Sequence, residues 1–255
     1  MKRSGFWLAA IAAVAMIAPL VAPYAPDALD LANRRAAPSL AHWFGTDDLG
    51  RDAFSRALFG GRVSISIGLL SALVAAGLGV AVGVVAGYVG GWTDTVLMRA
   101  TDAVLSVPRL LLLMVAAATL QPTLPLLVIL VGGVGWMETA RVTRAAVRSL
   151  LVSEFVVAAR AAGAGHLRIM GTHLLVNASG AIRVAAVIAV GRAILVESAL
   201  SFFGVGVQPP SASWGSMLYQ AQSAMTTEPW LALFPGACIV VTVGTLTALS
   251  DAADR

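Results

Sequence analysis

The stretch VSISIGLLSALVAAGLGVAVGVVAGYVGGWT, residues 63–93, contains no charged side chain. A helix needs about 20 predominantly apolar residues to cross the hydrocarbon core of a bilayer, and this run exceeds that length. Within it, Gly79, Gly83 and Gly87 recur at every fourth residue. Small residues at this spacing let a second helix approach closely in lipid. We therefore predict a membrane-spanning helix that packs against a neighbour through its glycines.

The rest of the chain shares this apolar character. Of its 255 residues, 58% are hydrophobic and only 12% are charged, and the mean hydropathy is +0.86. Soluble proteins have about 45–50% apolar and about 25% charged residues. The composition therefore predicts an all-α integral membrane protein. Six segments are expected to be transmembrane helices, namely residues 6–22, 63–93, 98–120, 124–147, 174–203 and 230–249.

Residue counts exclude several kinds of active site. The only lysine is Lys2, so the chain has no P-loop, which needs a lysine to bind nucleotide phosphates. Cys238 is the single cysteine, so neither an intrachain disulfide nor a cysteine metal cluster can form. The three histidines show no metal-ligand spacing, and no HExxH or GxSxG motif occurs. We predict no catalytic residue, no metal site and no cofactor.

The segments divide the chain into three parts. Residues 1–22 are expected to form an uncleaved N-terminal anchor helix, residues 23–62 an external connection, and residues 63–255 the transmembrane core. In the connection, Thr46 suits an N-cap, and the apolar residues that follow fall on one helical face. This pattern predicts an amphipathic helix that lies on the membrane surface or against the bundle.

The distribution of arginine predicts the orientation. Five arginines lie within residues 149–173 or in the eight residues just before them, whereas residues 204–229 contain no basic residue. The positive-inside rule places the former in the cytoplasm, and by parity both chain termini are cytoplasmic. The net charge of +4 follows from this distribution and does not predict binding to nucleic acid. Residues 23–62 conflict with the rule, because this external connection also holds five arginines.

The sequence EFVVAARAAG, residues 154–163, predicts a short helix in the cytoplasmic connection. Ser153 suits the N-cap, Glu154 lies at the positive end of the helix, and Gly163 can end it. The alanines leave a low surface, which suits insertion into a groove of a partner protein. An interfacial helix that only ties two spans together is equally compatible with these features.

Several motifs resemble those of one transporter family. The stretch EFVVAARAAGAGHLRIMGTHLLVN (154–177) resembles the EAA loop of ABC importer permeases. Four further stretches occur in the order of that family: HWFGTDDLGRD (42–52), DAVLSVP (102–108), ESALSFFGVGVQPPSASWG (197–215) and WLALFPG (230–236). The chain is thus similar to the second permease of dipeptide, oligopeptide and nickel importers. The resemblance implies the type I ABC importer (MetI-like) permease fold, with six transmembrane helices and a cytoplasmic coupling helix.

The resemblance also implies partners and a location. Such a permease pairs with a second permease chain in the bacterial inner membrane, two ATPase subunits hydrolyse ATP, and an external solute-binding protein delivers the cargo. The coupling helix docks in a cleft of the ATPase. In this sequence the residues expected at that contact are Glu154, Phe155, Val157, Ala158, Ala159, Arg160 and Gly163. Two positions depart from the pattern, since Val157 replaces the glutamate of the EAA triplet and Val176 replaces a proline.

Charged residues inside the predicted spans are further candidates, because such charges are costly in lipid and mark function. Asp102, Arg192 and Glu197 are expected to serve in gating or packing, and Asp102 is spaced to pair with Arg99. Arg192 and Glu197 are five residues apart and badly placed to pair within one helix, so each is expected to contact another span or the second permease. A purely structural ion pair is the alternative.

The loop at residues 204–215 is external in this orientation. We expect it to receive the binding protein or to shape the external gate, through Gln208, Pro209, Pro210 and Trp214. A different class of function is a self-contained secondary transporter that uses intramembrane charges. Such carriers tend to contain internal repeats, and none is evident in this sequence.

Overall fold

The computed structural model describes residues 18–121 and 123–253. The helices are α1 (Ala53–Val89), α2 (Gly91–Leu105), α3 (Arg109–Leu120), α4 (Leu124–Gly133), α5 (Trp136–Leu150), α6 (Glu154–Ala161), α7 (His166–Phe202), α8 (Trp214–Ala221) and α9 (Trp230–Ala253). Single turns at Ala18–Val21 and Leu31–Asn33 precede α1. In the described ranges the only bridge between extended residues is the isolated one from Thr46 to Asp52, so the fold is all-α there.

Three of these helices, α1, α7 and α9, are long and apolar enough to cross a membrane. Two helix pairs add up to two more spans: α2 with α3, bent by 75°, and α4 with α5, bent by 42°. The described residues therefore supply three to five spans, and the predicted number of six is not established. The predicted anchor helix, residues 1–22, lies outside the described residues except at its end.

Helix α1 begins at Ala53, seven residues after the predicted cap Thr46, and continues without a break through the charge-free run. Asp52 is the N-cap, and its carboxylate accepts a hydrogen bond from the Ser55 amide at 2.7 Å. The prediction of a separate helix capped by Thr46 is wrong, because Thr46 lies in a folded turn and its hydroxyl donates to the Asn33 carbonyl. At 37 residues α1 extends about 55 Å, more than the roughly 30 Å of a hydrocarbon core.

Gly79, Gly83 and Gly87 of α1 pack against α5. A Cβ atom at Gly79 would meet the Trp136 carbonyl at 2.6 Å, and one at Gly83 would meet the Ala140 carbonyl at 2.5 Å. At Gly87 the nearest atom, from the Val147 side chain, would be 2.9 Å away. These distances leave no room for a side chain, so the predicted close helix contact is confirmed and the neighbouring helix is α5.

Two of the predicted spans are broken helices. The expected continuous helix over residues 98–120 is wrong, because the chain turns at residues 106–108 and α3 starts after Pro108, which has no amide hydrogen to continue α2. The expected helix over 124–147 likewise bends between Gly133 and Trp136. By contrast, α9 begins at Trp230 as predicted, and α7 begins eight residues before the predicted start at residue 174.

Candidate functional site

Helix α6 forms where the sequence predicts it, between the broken span α4–α5 and the long helix α7. Ser153 occupies the N-cap with extended backbone, but its hydroxyl donates to the Leu150 carbonyl and makes no capping bond to α6. Gly163 has a φ of +79°, and its amide donates to the Arg160 carbonyl at 2.9 Å. This left-handed conformation favours glycine and explains why the helix ends there.

One buried side chain anchors α6. Val156 is fully buried in a cluster with Val84 of α1, Val147 of α5, and Ile169 and Leu174 of α7. Side chains from three longer helices thus share one buried cluster with Val156. The contact therefore fixes α6 to the bundle at one end of α1.

The remaining surface of α6 and its neighbours is exposed and largely apolar. Phe155 is 39% exposed, Val157 is 56% exposed, and Val152 and Leu167 on either side are more than four-fifths exposed. Glu154, Ala158 and Gly163 also face outward. These side chains form a group of exposed apolar residues at this end of the bundle. We call Val152, Phe155, Val157 and Leu167 the docking patch.

Arg160 does not project away from the bundle. Its guanidinium group lies 5.8 Å from the centre of the Tyr88 ring, in a cation–π arrangement with the last turn of α1. The Tyr88 hydroxyl is also paired with Nδ1 of His166 at 2.7 Å. This contact between Tyr88 and His166 cannot be predicted from the sequence, because the two residues are 78 positions apart in the chain.

Asp94 forms a second connection near this end of α1. Its buried carboxylate accepts two hydrogen bonds from Arg144, one of them at 2.6 Å. It accepts a third from Arg148 at 2.7 Å. The spacing of Arg144 and Arg148 places both on one face of α5, but it does not identify Asp94 as their partner. Asp102 pairs with Arg141 of α5, and both side chains are about half exposed. The prediction that Asp102 pairs with Arg99 is therefore wrong.

A cavity of about 300 Å³ lies beside the middle of α1 and is lined by α1, α3, α4, α5 and α7. Its lining is mostly apolar but includes three charged side chains. Arg192 of α7 forms an ion pair with Glu138 of α5 in its lining. Arg192 thus meets another span, as its spacing from Glu197 predicts. Arg109 also lines the cavity and is not among the residues predicted from the sequence, which places it inside a continuous span.

Glu197 lies in a separate, fully buried network at the other end of α1. Its carboxylate accepts hydrogen bonds from the hydroxyls of Ser64 at 2.9 Å and Ser201 at 2.8 Å. The Ser64 hydroxyl accepts a bond from the Trp214 amide at 3.2 Å, and the Ser201 hydroxyl one from the Val207 amide at 3.0 Å. This network joins α1, α7 and the segment that leads into α8.

The loop after α7 exposes three of the four residues that are predicted to face a binding protein. Gln208, Pro209 and Pro210 are exposed, and the bond between the two prolines is cis. Trp214 is only 3% exposed, and its indole N–H donates to the Ala57 carbonyl at 3.0 Å. The expectation that Trp214 faces a binding protein is therefore corrected, because its ring fills the space that Gly61 leaves on α1.

The folded turn at residues 42–52 lies at the same end of α1 as Trp214. The Asp47 carboxylate accepts bonds from the Leu49 amide at 2.9 Å and from Nε of Arg51 at 2.7 Å. Phe44 stacks on Phe234 of α9 at 3.8 Å between ring centres. The motif that carried part of the resemblance is thus a structural turn, and α6 lies at the opposite end of the long helix.

Known proteins similar to this chain agree with the resemblance. Residues 79–255 match the family described as binding-protein-dependent transport system inner membrane component. A putative peptide permease protein of Brucella suis is 37% identical over 235 residues, which are 91% of this chain and 78% of that protein. The oligopeptide transport system permease protein OppC of Bacillus subtilis is 37% identical over 93% of this chain and 78% of its own length. The dipeptide transport system permease protein DppC of the same organism is 36% identical over 93% of this chain and 75% of its own length. The chain therefore belongs to the inner membrane permease family of ABC importers.

Proposed function

We propose that this permease carries peptides, as one of two permease chains that together form the membrane pathway. The support for peptide cargo is that the similar proteins from Brucella and Bacillus are named peptide, oligopeptide and dipeptide permeases. Peptides are proposed here over nickel for that reason. The second permease, two ATPase subunits and an external binding protein complete the importer.

We propose an arrangement in the bacterial cytoplasmic membrane with six spans, of which residues 1–22 are the first. In this arrangement both termini and α6 are cytoplasmic, while residues 23–62 and the loop at 208–210 are external. The support is that the turn at 42–52 and helix α6 contact opposite ends of α1, which is long enough to cross the bilayer. The exposed Gln208, Pro209 and Pro210 then face the binding protein.

The observation that carries the coupling role is the combination of an anchored and an exposed side on α6. Val156 fixes the helix to α1, α5 and α7, while Phe155 and Val157 of the docking patch remain exposed. A helix of this kind transmits movement without bending, because its buried side cannot slide independently. The proposal is that the patch docks in an ATPase cleft and that closure of the ATPases on ATP moves the bundle.

Two neighbouring glycines provide a matched test of coupling. A Cβ atom at either Gly163 or Gly165 would meet no atom within 4 Å, but only Gly163 has a positive φ, of +79°. A β-branched residue is strongly strained in that conformation, so Gly163→Val shifts the end of α6 and Gly165→Val serves as the control. In proteoliposomes with the complete importer, we expect Gly163→Val to lose peptide uptake and keep ATP hydrolysis.

The same proteoliposomes contain the outcomes that contradict the proposal. Equal peptide uptake by the Gly163→Val and Gly165→Val importers would remove the coupling role of α6. Gradient-driven uptake by the purified chain without ATPases would instead support a secondary transporter. Absence of peptide uptake by the unmodified importer, with ATP hydrolysis intact, would reject peptides as the cargo.

A further inference from the structure

The cavity lies beside the middle of α1. Its lining includes Ser71 and Ala75, which lie about 27–33 Å from the start of α1 and about 21–27 Å from its end at 1.5 Å per residue. Small side chains create the space, because Ala72, Ala185 and Ala189 also line it. A cavity of about 300 Å³ is large enough for part of a peptide and lies near the middle of the spanning bundle.

The charges in this lining do not balance. Its charged members are Arg109, Glu138 and Arg192, and the ion pair of Glu138 with Arg192 leaves the charge of Arg109 without a counter-ion in the lining. Nε of Arg109 is buried and has no hydrogen-bond partner among the described residues. A buried donor without an acceptor and an uncompensated charge in the membrane interior both cost free energy.

The structure positions Arg109 for an incoming group. A Cβ atom at Gly135 would lie 3.2 Å from the Nη2 atom of Arg109, so the glycine makes room for the guanidinium group. Arg109 is also the first residue of α3 and follows the break between α2 and α3. In membrane transporters, backbone breaks at this depth occur where they line a cavity or are buried in protein.

We propose that this cavity binds an anionic group of the cargo during its passage, and that Arg109 holds that group. The inference rests on the proposed function as a peptide permease. Every linear peptide with a free C-terminus carries a carboxylate, and a guanidinium group donates two parallel hydrogen bonds to the two carboxylate oxygens. The interaction neutralises Arg109 only while cargo is present, so it favours entry of peptide into the middle of the membrane.

A cysteine in the cavity reports occupancy directly and bypasses the selectivity of the binding protein. Ala189→Cys, in a Cys238→Ala background, is alkylated by a small thiol reagent in the purified complete importer. We expect a tripeptide with a free C-terminal carboxylate to slow this alkylation several-fold, and the same tripeptide with a C-terminal amide to leave it unchanged. Arg109→Gln abolishes the protection, and Arg109→Lys retains part of it.

Uptake in proteoliposomes gives the second readout. Arg109→Gln is expected to lower uptake of the free tripeptide by roughly tenfold, the loss expected for a charge-assisted hydrogen bond. Arg183→Gln is the control, because Arg183 is an exposed arginine of helix α7 and does not line the cavity. ATP hydrolysis stimulated by the loaded binding protein stays within twofold of the unmodified importer in both variants.

Three results overturn the proposal. Equal protection by the amidated tripeptide, no protection in the unmodified importer, or unchanged protection in Arg109→Gln shows that Arg109 holds no carboxylate. Loss of the second permease from the purified Arg109→Gln complex shows instead that an acidic residue of that chain is the counter-ion. Each of these is distinct from failure of the proposed function, in which the unmodified importer takes up no peptide.

Discussion

The contact between α1 and α5 makes a sharp prediction about a single methyl group. Gly83→Ala places a Cβ atom 2.5 Å from the Ala140 carbonyl oxygen and 2.6 Å from Cβ of Thr143. Helix α5 must move away by about 1 Å to restore ordinary van der Waals contact. Overpacking of this kind costs about 1–3 kcal/mol, and both nearest atoms belong to the same helix, so no flexible side chain can relieve it.

Gly77→Ala is the control in the same helix. A Cβ atom at Gly77 would meet nothing within 4 Å, and alanine is a better helix former by about 1 kcal/mol in water. We expect Gly83→Ala to lower the midpoint of thermal unfolding in detergent by roughly 5 °C, and Gly77→Ala to leave it unchanged or higher. Size-exclusion chromatography after heating measures both. Equal midpoints for the two variants would refute the close contact with α5.

Substitutions at three further residues test other connections. Glu197→Gln keeps an acceptor for the hydroxyl of Ser64, so we expect near-normal transport and stability. Glu197→Ala leaves buried hydroxyls without that acceptor. We expect it to lower the unfolding free energy by about 1–3 kcal/mol, measured by denaturant titration. Asp94→Asn removes the charge that Arg144 shares, so the ratio of peptide transported to ATP hydrolysed falls while the importer remains assembled. Val157→Glu places a carboxylate on an exposed position, so unfolding changes by less than about 0.5 kcal/mol, but less ATPase co-purifies if the cleft is apolar opposite valine.

Each of these predictions can be contradicted by a specific result. Transport lost in Glu197→Gln at unchanged stability would assign Glu197 to gating. An unchanged transport ratio in Asp94→Asn would show that the Asp94 cluster only stabilises the fold. More ATPase bound to Val157→Glu than to the unmodified chain would indicate a polar cleft that the valine does not fit.

Features determined by local sequence could be predicted. The charge-free run, the glycine spacing and the start of α9 at Trp230 follow from composition and helix geometry, and α6 follows from Ser153 and Gly163. The breaks in the other spans were missed because apolarity alone gives a length. Hydropathy does not report that Pro108 ends one helix and begins another at an angle of 75°.

Features determined by contacts across the chain could not be predicted. Asp94 and Arg144 are fifty residues apart, and Ser64 and Glu197 are 133 apart. Charge identifies such residues as costly in the membrane, which is how Glu197 was found, but no periodicity names their partners. Trp214 shows the opposite error, since an aromatic residue in an external loop suggested a binding surface and in fact fills a space beside α1.

Helix α5 extends from the cavity that contains Arg109 to the end of the bundle where α6 packs. Its 15 residues extend about 22 Å, with Glu138 in the first turn beside the cavity and Val147 in the last turns beside α6. Arg144 and Arg148 fix the second of these ends to Asp94. A rigid helix held at one end moves most at the other. If the proposed coupling through α6 is correct, we therefore expect a displacement of α6 to reach the Glu138–Arg192 pair. The charge available to Arg109 in the cavity would then depend on the state of the ATPases, because separation of that pair frees Glu138.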